Sequence, residues 1–155
     1  MMNELLLDMF YAGLAAVDPA IAVEKWLRGA DADSLGVRSP ELYDNVVVVG
    51  AGKAAGQMAS AAEKLLGDRL SGGIVITKAG HGVPLHKVRL REAAHPVPDE
   101  RGQAATIEIL ELLKRTDDRT LVLCLLSGGG SALLCAPAEG ITLDDKQAVT
   151  DLLLR

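Results

Sequence analysis

The spacing of apolar positions in the N-terminal residues 1–30 predicts two short helices. Large apolar side chains recur at helical spacing over residues 5–17: Leu5, Leu6, Met9, Phe10 and Val17. Asp18 and Pro19 are a typical helix start, with the acid at the N-cap and the proline in the first turn. A second helix should therefore run to about Arg28. Residues 29–44 are rich in Gly, Asp, Ser and Pro and predict a linker, so residues 1–30 form a helical lead-in.

Four short predicted strands follow this linker. They cover residues 46–49, 74–77, 88–93 and 121–126. The first and fourth are wholly apolar, which is typical of strands buried on both faces of a parallel sheet. Apolar residues at helical spacing predict one helix between the first two strands, up to about Leu66, and another after Asp99, between the third and fourth. Strands that alternate with helices indicate βαβ units. The sequence therefore predicts an α/β fold over residues 45–155, a Rossmann-like three-layer lobe with a mainly parallel sheet, preceded by the two helices.

The last predicted helix has a start signal but no stop signal. Thr142 and Asp145 have the spacing of a capping box, and Val149 and Leu152 continue at helical spacing. No Gly, Asn or Pro follows before Arg155. We therefore expect a truncated chain or a fragment of a longer protein.

Composition and charge exclude several classes of protein. The 155 residues are 49% hydrophobic and 24% charged, which is typical of one globular domain and not of a disordered tail. A net charge of −5 and only 3% aromatic residues argue against nucleic acid or an anionic membrane as a partner. The N-terminus lacks a basic signal region, and the longest apolar run, 121–126, is too short to cross a bilayer. We expect a cytoplasmic protein whose two cysteines, Cys124 and Cys135, are buried thiols rather than a disulfide.

The first candidate site is the glycine turn after the first strand. Gly50 and Gly52 precede Lys53, and a strand entering such a turn and then a helix points free N–H groups at a spot that suits a phosphate or carboxylate. The alternative is a tight turn with a solvated lysine. The spacing matches neither the dinucleotide motif nor the P-loop, and the second strand ends in Thr77 and Lys78 with no acid for a ribose hydroxyl.

The second candidate site is the serine-glycine loop that follows the fourth strand. It consists of Ser127, Gly128, Gly129, Gly130 and Ser131. Such a loop can form a backbone nest for an anion between two hydroxyl groups, although a flexible connector is the alternative. Because ligands of open α/β sheets bind outside the carboxyl ends of the strands, both glycine loops should lie at the same edge.

The third candidate site is a rigid segment with two prolines. His95 and Asp99 flank Pro96 and Pro98, which hold the loop extended. Asp99 is also well placed as the N-cap of the next helix, and we favour that role over catalysis. The histidines lack metal-ligand spacing, so we expect no metal site on the protein. Thr77, Lys78 and His81 are expected to be solvated surface.

These motifs, in this order, resemble the glycerate 2-kinase family, whose members are often labelled hydroxypyruvate reductases. Further similarity lies in residues 14–19 and 145–150, so the resemblance covers nearly the whole chain. It implies transfer of the γ-phosphoryl group of ATP to D-glycerate with Mg²⁺, favouring 2-phosphoglycerate, in a cleft between two lobes. Residues 1–155 would form most of the N-terminal lobe, and the C-terminal lobe would be missing.

The resemblance also implies roles for the candidate residues. Lys53 would stabilise the transferring phosphoryl group or bind the glycerate carboxylate, and His95 or Asp99 would orient the attacking hydroxyl. Both glycine loops would hold phosphates or carboxylate. An NAD(P)H-dependent hydroxypyruvate reductase and a non-catalytic phosphosugar-binding module remain alternatives, and an exposed sheet edge leaves a homo-oligomer open.

Overall fold

The computed structural model describes residues 2–29 and 42–155 and contains six α-helices and four strands within them. The helices are α1 (Met2–Ala16), α2 (Pro19–Leu27), α3 (Ala55–Leu66), α4 (Glu100–Leu113), α5 (Gly130–Leu133) and α6 (Leu143–Leu153). The strands are β1 (Asn45–Ala51), β2 (Leu70–Lys78), β3 (Val88–Ala93) and β4 (Thr120–Leu126). Most of the predicted linker lies outside the described residues.

The strands form one parallel sheet in the order β3-β2-β1-β4. One face packs against α2 and α3, through residues such as Val48, Val75 and Ala59. The other face packs against α4 and α5, through residues such as Ile76 and Ile109. The prediction of a three-layer α/β lobe with a parallel sheet and two preceding helices is therefore confirmed.

The strand order reverses direction at β1. The chain passes from β1 to β2 and β3 on one side, and then returns to place β4 on the other side of β1. In open α/β sheets, the carboxyl ends of the two strands at such a reversal border a crevice in which ligands bind. The loops that follow β1 and β4 are the two glycine loops predicted from the sequence.

Strand β2 is longer than the predicted run 74–77, since it begins at Leu70 and includes Gly72 and Gly73. A Cβ atom on Gly73 would collide with the backbone carbonyl of Val48 on β1. Glycine at this position therefore permits the close pairing of β1 with β2.

The expectation that both cysteines are buried is wrong for Cys124. It lies on β4, which is an edge strand and is only partly covered on its faces. Cys124 is exposed and Cys135 is buried, and neither forms a disulfide. An apolar run thus marks a strand but does not establish that both of its faces are covered.

The N-terminal helix is apolar but exposed within the described part of the chain. Leu5, Met9 and Phe10 are 60%, 64% and 59% exposed. No single described helix is long and apolar enough to cross a membrane; only the segments Asn3–Ala16 and Pro19–Leu27 taken together, across a 51° bend, meet that criterion of length and composition.

Candidate functional site

The two glycine loops lie side by side at the carboxyl edge of the sheet. The Lys53 amide donates to the Gly128 carbonyl at 3.0 Å, and the Ser127 amide donates to the Ala51 carbonyl at 3.1 Å. The Ala54 amide donates to Ser127 Oγ at 3.0 Å. These three hydrogen bonds confirm the prediction that the loops share one edge, and they fix the loops relative to each other.

The expectation of free backbone N–H groups in the first loop is wrong. The Gly52 amide donates to the Ile76 carbonyl, and the Ala55 amide donates to the Gly52 carbonyl. The amides of Lys53 and Ala54 donate to the second loop, as described above. The two loops can approach this closely because Gly52, with φ of 137°, lacks a Cβ atom; a Cβ at this position would collide with Ser127. The first loop therefore offers an anion the exposed ammonium of Lys53 rather than its backbone.

The second loop keeps the open backbone donors. Within residues 42–155, the amides of Gly128, Gly129 and Ser131 donate to no protein acceptor. Gly129 has φ of 88°, a left-handed conformation that allows successive N–H groups to point into one concavity. Such a nest binds anions, because its N–H groups carry partial positive charge.

His95 lies beside both loops. A Cβ on Gly129 would lie 2.6 Å from His95 Nε2 and 3.5 Å from Lys53 Cε, so all three residues meet at one point. Burial lowers the pKa of His95, and the positive charges of Lys53, Lys78 and His81 lower it further. The imidazole is therefore held in its neutral form near pH 7, in which one ring nitrogen can accept a hydrogen bond.

Asp99 is the N-cap of α4. Its carboxylate accepts from the Gly102 amide at 3.0 Å and from Arg101 Nε at 2.7 Å. Burial opposes ionisation of this group, but these hydrogen bonds and one from the Ala94 amide outweigh burial and lower its pKa. The capping role favoured from the sequence is confirmed, and a catalytic role for Asp99 remains untested.

The expectation that Thr77, Lys78 and His81 are solvated surface is wrong for Thr77, and Lys78 and His81 lie near the site. Thr77 is fully buried, and its hydroxyl donates to the Lys53 carbonyl at 3.3 Å. Lys78 and His81 are close enough to affect the pKa of His95. The signal that could have identified them is their position at the carboxyl end of a strand that pairs with β1.

The site has the chemistry of an anion-binding cleft. Its cations come from the ends of β1 and β2, neutral His95 follows β3, and its open amides come from the loop after β4. No group of three or more His, Cys, Asp or Glu residues able to hold a metal ion occurs in the described chain. The arrangement can bind and neutralise negative charge, as phosphoryl transfer requires.

Several proteins resemble this chain in sequence. D-glycerate 2-kinase of Thermotoga maritima is 38% identical over 156 residues, which cover 99% of this chain and 34% of that protein. Glycerate 2-kinase of Pyrococcus horikoshii is 38% identical over 155 residues, with the same coverage of 99% and 34%. A protein of Agrobacterium vitis named "Putative hydroxypyruvate reductase" is 45% identical over 108 residues, 70% of this chain and 28% of that protein.

The fold and the family agree with these similarities. The crystal structure of the Thermotoga maritima glycerate kinase matches with a TM-score of 0.78 at 37% identity, over 99% of this chain and 34% of that one. The chain thus spans about a third of the length of these relatives. The sequence profile of the family described as "Domain of unknown function (DUF4147)" matches residues 5–155. The chain therefore belongs to the DUF4147 family, together with relatives that are named as glycerate kinases.

Proposed function

We propose that residues 1–155 form the N-terminal lobe of a glycerate kinase that transfers the γ-phosphoryl group of ATP to D-glycerate. The observation that carries this proposal is that the Lys53 side chain approaches Gly129 of the 127–131 loop, which carries the open amides, where the strand order reverses. The names of the relatives support the same activity. The name D-glycerate 2-kinase favours 2-phosphoglycerate as the product.

The proposed roles follow from the demands of phosphoryl transfer. Negative charge spreads over the transferring group, so catalysis depends on positioned cations and N–H donors. Lys53 is exposed at the cleft and can approach the transferring phosphoryl group, while the 127–131 loop holds a neighbouring anionic group. Neutral His95 accepts a hydrogen bond from the attacking hydroxyl. We assign this orienting role to His95 rather than Asp99, because the Asp99 carboxylate is occupied by its cap and by Arg101.

The donor set fits the phosphates of ATP better than it fits a metal ion. Open amides and an ammonium are suited to phosphate oxygens. The described chain supplies no cluster of ligands for Mg²⁺, and in phosphoryl-transfer enzymes this ion is held largely by substrate phosphates, water and one or two carboxylates. We therefore assign no step to a protein-held metal in this lobe.

We further propose that the cleft is completed by the part of the protein that the relatives have beyond this match. The chain corresponds to 34% of the Thermotoga maritima kinase. In this view residues 1–30 are a helical lead-in, residues 45–155 are the βα core, and the second lobe closes over the cleft. Purified residues 1–155 alone should then phosphorylate no glycerate, and measurable turnover by them would show that the second lobe is dispensable.

The activity test uses the native polypeptide that contains this chain. It is incubated with D-glycerate, ATP and Mg²⁺, and ADP is measured together with the phosphorylation position by ³¹P NMR. Parallel reactions contain hydroxypyruvate with NADH or NADPH. ADP formation without oxidation of the reduced cofactor supports the kinase, and the reverse pattern supports the reductase. Calorimetric binding of a sugar phosphate with no turnover of either kind would indicate a phosphosugar-binding module.

Lys53→Ala tests the proposed catalytic cation. Loss of a charged donor to the transition state should lower kcat/KM by about 10²- to 10³-fold, with little change in Tm because the side chain is exposed. Lys64→Ala is the matched control, since Lys64 is an exposed lysine on α3 away from the cleft. Turnover by Lys53→Ala equal to that of the wild type and the control would remove Lys53 from the mechanism.

A further inference from the structure

The cleft has a second cationic side, formed by residues 78–82 at the end of β2. Residues two apart in a strand share a face, so Lys78 lies on the same face as Ile74 and Ile76. Those two isoleucines pack in the core beneath α4 and α5. Helix α5, which begins at Gly130 of the 127–131 loop, packs on this same face. Lys78 therefore projects toward the side of the sheet that carries His95 and Gly129.

The 78–82 loop is held in place by four hydrogen bonds that its backbone amides donate. The Ala79 amide donates to the Ala93 carbonyl at 3.0 Å, and the His81 amide donates to the Lys78 carbonyl at 2.9 Å. Glu92 on β3 accepts from the amides of Gly80 and Gly82 at 3.2 and 3.0 Å. Lys78 is therefore presented by a braced turn and not by a loose surface segment.

The Lys78 ammonium has no ion-pair partner within residues 2–29 and 42–155. The nearby carboxylate of Glu92 is used by two backbone amides. The His81 carbonyl lies 3.9 Å from the point where a Cβ on Gly56 would stand, so the turn rests against the first turn of α3, next to Lys53. Two lysines of like charge thus face one cleft, and an anion between them would relieve their repulsion.

The order of the strands places these groups in a line. The β2 end carries Lys78, the β1 end carries Lys53, and the β4 end carries the open amides of the 127–131 loop. The two outer positions can each bind a separate anionic group, with Lys53 between them. In the transfer proposed above, the two reactants carry two such groups: the phosphates of ATP and the carboxylate of glycerate.

We propose that Lys78, assisted by the ring N–H of His81, binds the carboxylate of the acceptor substrate, while the 127–131 loop binds phosphate. This inference rests on the proposed function. It makes Lys78 a specificity-determining residue, because a three-carbon alcohol without a carboxylate would leave the ammonium unpaired in the cleft. Glycerol should consequently be a far poorer acceptor than D-glycerate.

The test compares Lys78→Gln, Lys78→Arg and the control Lys64→Gln in the native polypeptide. We expect KM for D-glycerate to rise about ten- to hundredfold in Lys78→Gln, as is typical for loss of a charged hydrogen bond. The KM for ATP should stay within about twofold, and Lys78→Arg, which keeps the charge, should recover most of the affinity. The control should match the wild type, and equal Tm values for all four proteins verify folding.

The other outcomes separate this inference from the proposed function. A KM for D-glycerate that is unchanged in Lys78→Gln, or a rise confined to the KM for ATP, overturns the carboxylate assignment while the kinase activity stands. Equal turnover of glycerol and D-glycerate by the wild type also overturns it. If the wild type neither binds nor phosphorylates D-glycerate, both proposals fail together.

Discussion

Gly129→Ala should destabilise the protein, whereas Gly128→Ala should not. The two glycines are neighbours in the same loop, but only Gly129 has a positive φ, at 88°. A Cβ on Gly129 would lie 2.6 Å from His95 Nε2 and 2.7 Å from its Cδ2, while a Cβ on Gly128 would meet nothing within 4 Å. Both variants add one methyl group, so a difference in stability between them reports the backbone conformation of Gly129 and its contact with His95.

The expected cost has two sources. A left-handed conformation costs an alanine about 1–2 kcal/mol. The imidazole of His95 must also retreat by about 1 Å to reach an ordinary contact distance, and overpacking of this kind costs about 1–3 kcal/mol. Together these give a loss of roughly 2–5 kcal/mol for Gly129→Ala. Gly128→Ala should be neutral, or more stable by about 0.4–1 kcal/mol through the lower entropy of the unfolded chain.

Thermal unfolding of the two variants beside the wild type measures this difference. Gly129→Ala should have a Tm several degrees lower, and Gly128→Ala should equal or exceed the wild type. Turnover of Gly129→Ala should fall about 10²-fold, because a shift of about 1 Å at a reacting group has that effect. Equal Tm values for the two variants would refute the contact between Gly129 and His95.

Three further predictions concern the same edge of the sheet. Lys53→Ala should raise the pKa of His95, since burial and the charge of Lys53 both lower it; an NMR titration with no upward shift would contradict this. Because the pKa of Asp99 is lower in the folded than in the unfolded state, its carboxylate stabilises the protein above about pH 4, and this stability is lost as the pH falls further, through the folded-state pKa. In urea unfolding, the free energy of unfolding of Asp99→Asn should therefore be lower than that of the wild type near pH 7 and should decrease less on acidification. Ser127→Ala removes the acceptor of a backbone amide and should cost about 1–3 kcal/mol, against almost none for the exposed Ser131→Ala.

Local sequence signals predicted the elements well because their causes are local. The caps at Asp18, Asp99 and Thr142 all accept hydrogen bonds from amides two or three residues away. The strand β3 has the predicted bounds Val88–Ala93. Such signals depend on side chains near each other in the chain, so one sequence is enough to identify them.

The hydrogen bonding of the glycine loops and the position of Lys78 could not be predicted from local sequence signals. Ala54 and Ser127 are hydrogen-bonded across 73 positions of sequence. This bond and those from the Gly52 and Lys53 amides to distant carbonyls leave the first glycine loop without the free amides that its sequence predicts. The placement of Lys78 beside the site depends on β2 being the neighbour of β1. Neither fact has a local signal in the residues concerned.

The sequence by itself determined the α/β class, the order of helices and strands, and the position of the glycine loops after β1 and β4, because hydrophobic period and capping chemistry act within a few residues. The tertiary structure decided that β4 lies at an edge, which leaves Cys124 exposed, and that the open amides belong to the 127–131 loop. It also decided that Lys53, Lys78 and His95 face one cleft. These outcomes depend on which strands pair, and strand pairing joins residues that are far apart in the chain.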